Sequence, residues 1–306
     1  MVCRDDPDHS AALHTALDVS LPGSTPQPDP RVAELLTDSG ERGLSIDLFV
    51  GAFRGTECVS AALAVESPGR AALVFVPERQ DSDRRSEATT ACLRVAQRAA
   101  WERSIILLEL LLPLDAPRLA RVVQEAGFRH LTRLLYLRRN ADLPIPPTDP
   151  RNDPEWVTYT PSRANLFAEA IALSYSQSLD CPELTGLRSM PDVLAGHRAA
   201  GVFDPTLWSV ALRDGEPIAV LLLSRLARPE SVEIVYMGVA QVARGTGVAN
   251  AVMRRAVSAG RRLSATLLAL AVDQRNQPAR RVYTRWGFEE FAARAAWIAT
   301  LPPTEG

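Results

Sequence analysis

The sequence contains no lysine: all 34 basic residues of the 306-residue chain are arginine. That absence removes the chemistries that need a lysine ammonium, namely a Walker-type phosphate loop, a Schiff-base enzyme and a pyridoxal-phosphate enzyme of the usual kind. Cysteine is scarce. Cys3, Cys58, Cys92 and Cys181 stand far apart with no paired spacing, so neither a disulfide framework nor a zinc knuckle is expected. His197 has no second ligand at metal spacing and reads as a surface or rim residue; no metal is expected. No apolar run approaches the ~18 residues a membrane helix needs. The best run, 105–112, contains Glu109 and ends at Pro113. Neither charge is in excess. The 34 basic and 36 acidic side chains leave −2, which offers nothing to a polyanion, and neither a nucleic-acid nor a membrane partner is expected. Arg4, Asp5, Asp6 and Asp8 occupy the place where a signal peptide has a basic start and an apolar core, so a cytoplasmic location is expected. What is present is a globular composition, 46% hydrophobic and 23% charged, in a chain that can bury roughly three quarters of its unfolded surface.

Sliding the sequence against itself gives one ungapped match, at an offset of 160 residues. At that shift Arg94 falls on Arg254, Leu107 and Leu108 on Leu267 and Leu268, Val122 on Val282, and Gly127-Phe128 on Gly287-Phe288. Two related halves are therefore expected. Residues 141–154 lie in a proline-rich stretch that resists helix and central strand, which makes them the linker between domains at 1–140 and 155–306. A second proline-rich stretch, 21–30, reads as a loop between two short helices.

Each half reads as mixed α/β. In the second half, strands at 207–212 and 218–223 flank Asp214-Gly215, a hairpin signal, and a third strand covers 231–239. A helix over 248–262 carries Val248, Val252 and Ala256 on one face, a buried strand covers 266–272, a helix runs 278–286, and 289–301 adds further strand. The first half repeats the series with strands near 46–50, 59–65, 71–76 and 105–112 and helices at 88–103 and 116–126.

Arg244-Gly245-Thr246-Gly247-Val248-Ala249 follows a strand and opens a helix, so unpaired backbone N–H groups and the positive helix end meet where small residues permit close approach, which makes an anion site. A dinucleotide fingerprint is excluded, because Asn250 stands where its third glycine belongs. The segment resembles the acetyl-CoA loop of the GCN5-related N-acetyltransferase superfamily, Gln/Arg-x-x-Gly-x-Gly/Ala, at Arg244, Gly247 and Ala249. Glu233 to Val239 is similar to that family's fourth strand. Val272, Asn276, Ala279, Tyr283 and Gly287-Phe288 resemble its second motif.

The resemblance implies two tandem domains of that fold, each a mixed, mostly antiparallel sheet flanked by helices. It implies acetyl-CoA as co-substrate and direct transfer of its acetyl group to a primary amine, carried by a small molecule or by a peptide or protein. It places the diphosphate on the amides of Gly245 to Ala249 and the pantetheine along Met237, Gly238 and Val239, with a backbone N–H near Met237 or Val239 facing the thioester oxygen. Glu233 is the implied base and Tyr283 the implied proton donor to the departing thiolate. Asn276 is either a cofactor contact or the turn before a helix, and Arg254 and Arg255 either meet the cofactor or form a solvated face. Asp180 and Glu183, between helices expected at 163–178 and 190–200, offer an acidic rim to a cationic amine.

At the same offset Gly247 becomes Glu87, Gly245 Arg85, Ala249 Thr89, Glu233 Leu73, Asn276 Ala116 and Tyr283 Val123. The first half keeps the apolar pattern and loses the chemistry. One active and one degenerate half is an arrangement similar to that of mycothiol synthase. A non-catalytic acetyl-CoA-binding protein and a transferase of another acyl group remain as alternatives, and either a monomer or a homodimer is compatible with the tandem halves.

Overall fold

A computed structural model describes residues 43–147, 153–226 and 231–301. The loop expected at 21–30 lies outside the described residues. The chain divides into two compact units, one built from residues up to 131 together with those from 294 onward, the other from 132–293.

In the first unit, β1 (Ser45–Arg54), β2 (Glu57–Ser67) and β3 (Ala71–Phe75) form an antiparallel meander, and β4 (Leu107–Leu112) lies parallel to β3. The crossover is α1 (Asp83–Glu102), whose start is fixed by the Ser82 hydroxyl accepting the Arg85 N–H. Leu93, Ala96 and Ala100 recur along its buried face and pack with Leu108 and Leu110 of β4 and with Val122 and Val123 of α2 (Pro117–Glu125).

The second unit opens with β5 (Arg129–Asn140) and β6 (Glu155–Thr158), followed by α3 (Ala164–Tyr175) and α4 (Met190–Ala199). Then come β7 (Trp208–Arg213), β8 (Glu216–Arg225), β9 (Ser231–Val239), α5 (Val248–Arg262), β10 (Leu267–Asp273) and α6 (Gln277–Arg285). The β7–β8 hairpin turns through Asp214 and Gly215, both at positive φ (54° and 83°), the geometry that an Asp-Gly pair favours. Strand order is β5-β10-β9-β8-β7-β6, with only β9 and β10 parallel. One core, containing Val248, Val252, Ala256, Leu268 and Trp286, joins the sheet to α5 and α6; a second, with Phe167, Ile171 and Trp208, joins it to α3 and α4.

The 160-residue offset is visible in the elements. α2 spans 117–125 and α6 277–285, and the last strand, β11 (Glu289–Thr300), mirrors β5 at 129–140. The expected fold class, mixed and mostly antiparallel sheets flanked by helices, is what the chain adopts. The units nevertheless differ from a simple split at 140: β5 pairs with β10 from Leu134 to Asn140, whereas β11 pairs with β4 from Ala295 to Thr300. Side-chain burial explains the exchange, because Leu135 and Leu137 join the second unit's core while Trp297 and Ala299 join the first's. β5 holds Arg139, 2% exposed, whose Nε donates to Trp286 O (2.6 Å) and whose Nη2 donates to Leu143 O (2.7 Å) and Pro144 O (3.0 Å). A buried arginine is tolerable only with such partners.

Candidate active site

The site begins as a split in the second unit's sheet. β9 and β10 pair only from Ser231↔Leu267 to Glu233↔Ala269. Beyond Glu233, β10 continues against β5 to Asp273, while β9 continues against β8 to Val239 with an irregularity between Tyr236 and Ile234. The Ala240 N–H donates to Ile218 O (2.9 Å). Antiparallel alternation then gives Gly238 and Tyr236 the bonds to β8 and turns the N–H and C=O groups of Met237 and Val239 toward the split. The opening is a cleft of about 560 Å³.

One wall is the turn into α5. Gly245 (φ +79°) and Gly247 (φ +90°) supply two left-handed residues, which non-glycine side chains resist. The amides of Gly245, Gly247, Val248 and Ala249 meet no acceptor among the described residues, so the bare N-terminus of a 15-residue helix is left with four donors. Arg244 does not reach into the cleft for an anion. Its Nε donates to Val239 O (3.2 Å), Nη1 to Gln177 O (3.1 Å), and Nη2 to Ser174 O (2.9 Å) and Ser176 O (2.7 Å), so it staples the carboxyl end of α3 to the end of β9. Thr246 turns both its hydroxyl (2.8 Å) and its N–H (3.5 Å) onto Ala243 O and offers no free donor, whereas Val248, its side chain fully buried, contributes backbone alone.

The opposite wall is α6 and the turn before it. Tyr283 lines the cleft with only 7% of its surface exposed; burial, and then the charge of Asp180, push its phenol above the ordinary value. The Asn276 Oδ1 accepts the Ala279 N–H (3.3 Å), so Asn276 caps α6 while also lining the cleft. The floor needs Gly238, where a Cβ would stand 2.3 Å from the Ser174 Oγ, and the same Ser174 hydroxyl bonds the Tyr236 hydroxyl (2.7 Å). Tyr236, Ser174, Asn250 and Arg285 are lining residues that sequence reasoning missed. Asn250 accepts the Trp286 Nε1–H (3.1 Å) and ties α5 to α6. Neither residue belongs to a motif, so only the fold brings them together.

Three expected roles are altered by the geometry. Glu233 pairs with Ala269 at the closed end of the split, four residues or ~13 Å along the strand from Met237, and does not line the cleft. Glu183 is no open acidic rim: Arg275 grips it bidentately (2.6 and 2.9 Å), and the same guanidinium holds the fully buried Asp273 (2.7 Å). Asp180 does line the cleft, and its Oδ1 accepts the Asp273 N–H (3.0 Å). Arg255 is neither on a solvated face nor at the cleft, since it covers the Trp156 ring at 4.6 Å and donates to Ser209 Oγ (2.8 Å). Among the described residues no group of three or more His, Cys, Asp or Glu is arranged to hold a metal ion.

His197 is not a rim residue either. Its ring lies 5.1 Å from that of Tyr236, and its Nε2 is sealed from solvent with no hydrogen-bond partner among the described residues. Burial, reinforced by Arg188, holds its pKa down at about 4 against the ordinary 6.5. The unfolded chain therefore takes up this proton first as pH falls. The stability that the neutral ring permits is complete above pH 6.5 and is lost as pH falls toward 4, by about 3 kcal/mol. Denaturant midpoints of wild type and His197→Gln across this window are expected to differ in slope, with the variant flatter; parallel slopes would contradict the assignment.

Residues 176–288 match the family model described as Acetyltransferase (GNAT) family. The match lies wholly within the second half. The fold of the whole chain is that of GNAT proteins: a GCN5-related N-acetyltransferase from Sphaerobacter thermophilus has a TM-score of 0.63 at 18% identity, covering 98% of this chain and 94% of that one. A tandem GNAT protein from the clavulanic acid biosynthesis pathway has a TM-score of 0.56 at 14% identity, covering 99% and 98%. A GCN5-related glucosamine N-acetyltransferase region of a fungal multi-domain GH3 β-N-acetylglucosaminidase has a TM-score of 0.61 at 16% identity, covering 97% of this chain and 37% of that one. No curated protein matches this chain in sequence. The activity this family's description names is acetyl transfer, and the split strands, the bare N-terminus of α5 and Tyr283 lie within the matched segment. No helix among the described residues is long and apolar enough to cross a membrane.

Proposed function

We propose that the second half transfers the acetyl group of acetyl-CoA to a primary amine by direct attack within a ternary complex. The observation that carries this reading is the convergence, on one cleft, of the Met237 backbone and the Val239 N–H, both turned away from β8, with the four free amides at the turn into α5 and the buried Tyr283 phenol. The thioester supplies an activated acyl carbon with a stable leaving group. The amides of Gly245, Gly247, Val248 and Ala249 hold the diphosphate, with the positive end of α5 behind them. The Met237 and Val239 edge binds the pantetheine amides, and one of its N–H groups faces the thioester oxygen as charge develops there. Tyr283, kept protonated by its buried setting, gives the departing sulfur a proton.

The first half serves as scaffold. The N-terminus of α1 is already capped by Ser82, and Asp83 stands in its first turn, so an incoming phosphate meets a cap and a carboxylate instead of bare amides. The acceptor is an amine on a small molecule or on a peptide or protein. The test is thiol release from acetyl-CoA in the presence of a defined amine panel: spermidine, glucosamine, ethanolamine and a peptide with a free N-terminus. Amine-dependent release matched by N-acetyl product is the expected result. Acetyl-CoA binding without release for any amine would indicate a binding protein.

A further inference from the structure

We propose that Asp180 receives the acceptor's ammonium and takes its proton, so that the loop between α3 and α4, and not β9, supplies the base. This rests on the acetyltransferase reading above. Among the described residues lining the cleft, Asp180 is the one carboxylate. The other acids nearby are committed elsewhere: Arg275 neutralises both Glu183 and Asp273, and Glu233 stands at the closed end of the split. Asp180 stands at the open end, because its Oδ1 accepts the N–H of Asp273, the last residue of β10.

Its position is built. Asp273 anchors the loop by accepting the Cys181 N–H (3.1 Å) and the Thr132 hydroxyl (2.7 Å), and Asn276, which caps α6, lines the same cleft. The titratable and charged groups facing Asp180 are Asp273 and Arg275 from the end of β10, Tyr283 of α6, Tyr175 of α3 and Tyr236 of β9. Desolvation is the largest influence on the carboxyl and, with the neighbouring Asp273 charge, holds it above the ordinary carboxylate range, against the bonds from the Asp273 amide and Asn276. A carboxylate raised in this way is a better match to an ammonium proton.

The protons balance. An ammonium brings three N–H protons and the amide product keeps one. The first goes to the Asp180 carboxylate, and from there to solvent, which frees the nitrogen lone pair to form the N–C bond. The C–S bond breaks with its electron pair passing to sulfur, and the second proton reaches that sulfur through Tyr283.

The test compares wild type with Asp180→Asn, which keeps an acceptor for the Asp273 N–H, and with Asp180→Glu. Acetyl-CoA titration is run first, then thiol release with the same amine panel across pH 6–10. Expected are acetyl-CoA affinities within about twofold of each other, a kcat lower by roughly 100-fold in Asp180→Asn, and partial recovery in Asp180→Glu. The residual rate of Asp180→Asn should climb with the free-amine fraction as pH rises, a signature that a merely structural loss would not give. Retention of kcat in Asp180→Asn, or loss in Glu233→Gln with retention in Asp180→Asn, would overturn the assignment. Bound acetyl-CoA with no amine-dependent release in wild type would overturn it too and leave the cofactor site standing, whereas no acetyl-CoA binding would sink the underlying reading itself.

Discussion

Gly247→Glu is expected to abolish acetyl-CoA binding, weakening it by at least about 100-fold, roughly 3 kcal/mol. Two effects act together. Gly247 sits at φ +90°, which an L residue occupies at a cost of about 1–2 kcal/mol, so the turn that aims the amides toward the cleft is distorted. The new carboxylate also stands beside the α5 N-terminus, where it competes for the donors and repels the diphosphate. At the 160-residue offset the first half carries Glu87, which the structure places inside α1, while Ser82 takes the capping position there. Calorimetric titration checks it, and unchanged affinity would place the cofactor somewhere other than this turn. Gly247→Ala separates the two effects, because it strains the backbone without adding charge.

Tyr283→Phe is expected to lower kcat by roughly 100-fold while leaving acetyl-CoA affinity near wild type, since general-acid help to a leaving group is worth that much or more. The ring's packing survives the change. Its neighbour Phe288 lies at a centroid distance of 5.9 Å and does not depend on the hydroxyl. A loss confined to kcat therefore isolates the proton-donating oxygen. If kcat were unchanged, Tyr283 would be a core aromatic and the thiolate would leave unprotonated or take its proton from water.

Much of this was legible in the residues. The hairpin at Asp214-Gly215, the face formed by Val248, Val252 and Ala256, and the glycine turn into α5 are local signals, and each appears in the structure where its pattern stands. The 160-residue repeat carried the series of strands and helices from one half to the other. What could not be read was long-range. β5 has arginine at 129, 133, 138 and 139, and of these Arg139 is buried because carbonyls of Trp286, Leu143 and Pro144 receive it. The exchange of β5 and β11 between units depends on which core accepts Leu137 and which accepts Trp297, and no local pattern encodes that choice.

The site shows the same division. Backbone roles at Met237, Val239 and the glycine turn follow from strand and helix geometry, which local sequence specifies. Side-chain roles depend on partners far away in sequence. Arg244 is spent on the end of α3, 67 to 70 residues earlier, at Ser174, Ser176 and Gln177, and Glu183 is claimed by Arg275, 92 residues later. The family resemblance implied Glu233 as the base. The point at which β9 parts from β10 puts it at the closed end of the split, while Asp180, read from sequence only as part of an acidic rim, lines the cleft at the open end.

The measurement that tests the account most directly is a calorimetric titration of the wild-type chain with acetyl-CoA. The account predicts one site per chain, on the second half, removed by Gly247→Glu. Two sites per chain would contradict the reading of the first half as scaffold, and no binding would contradict the acetyltransferase account as a whole.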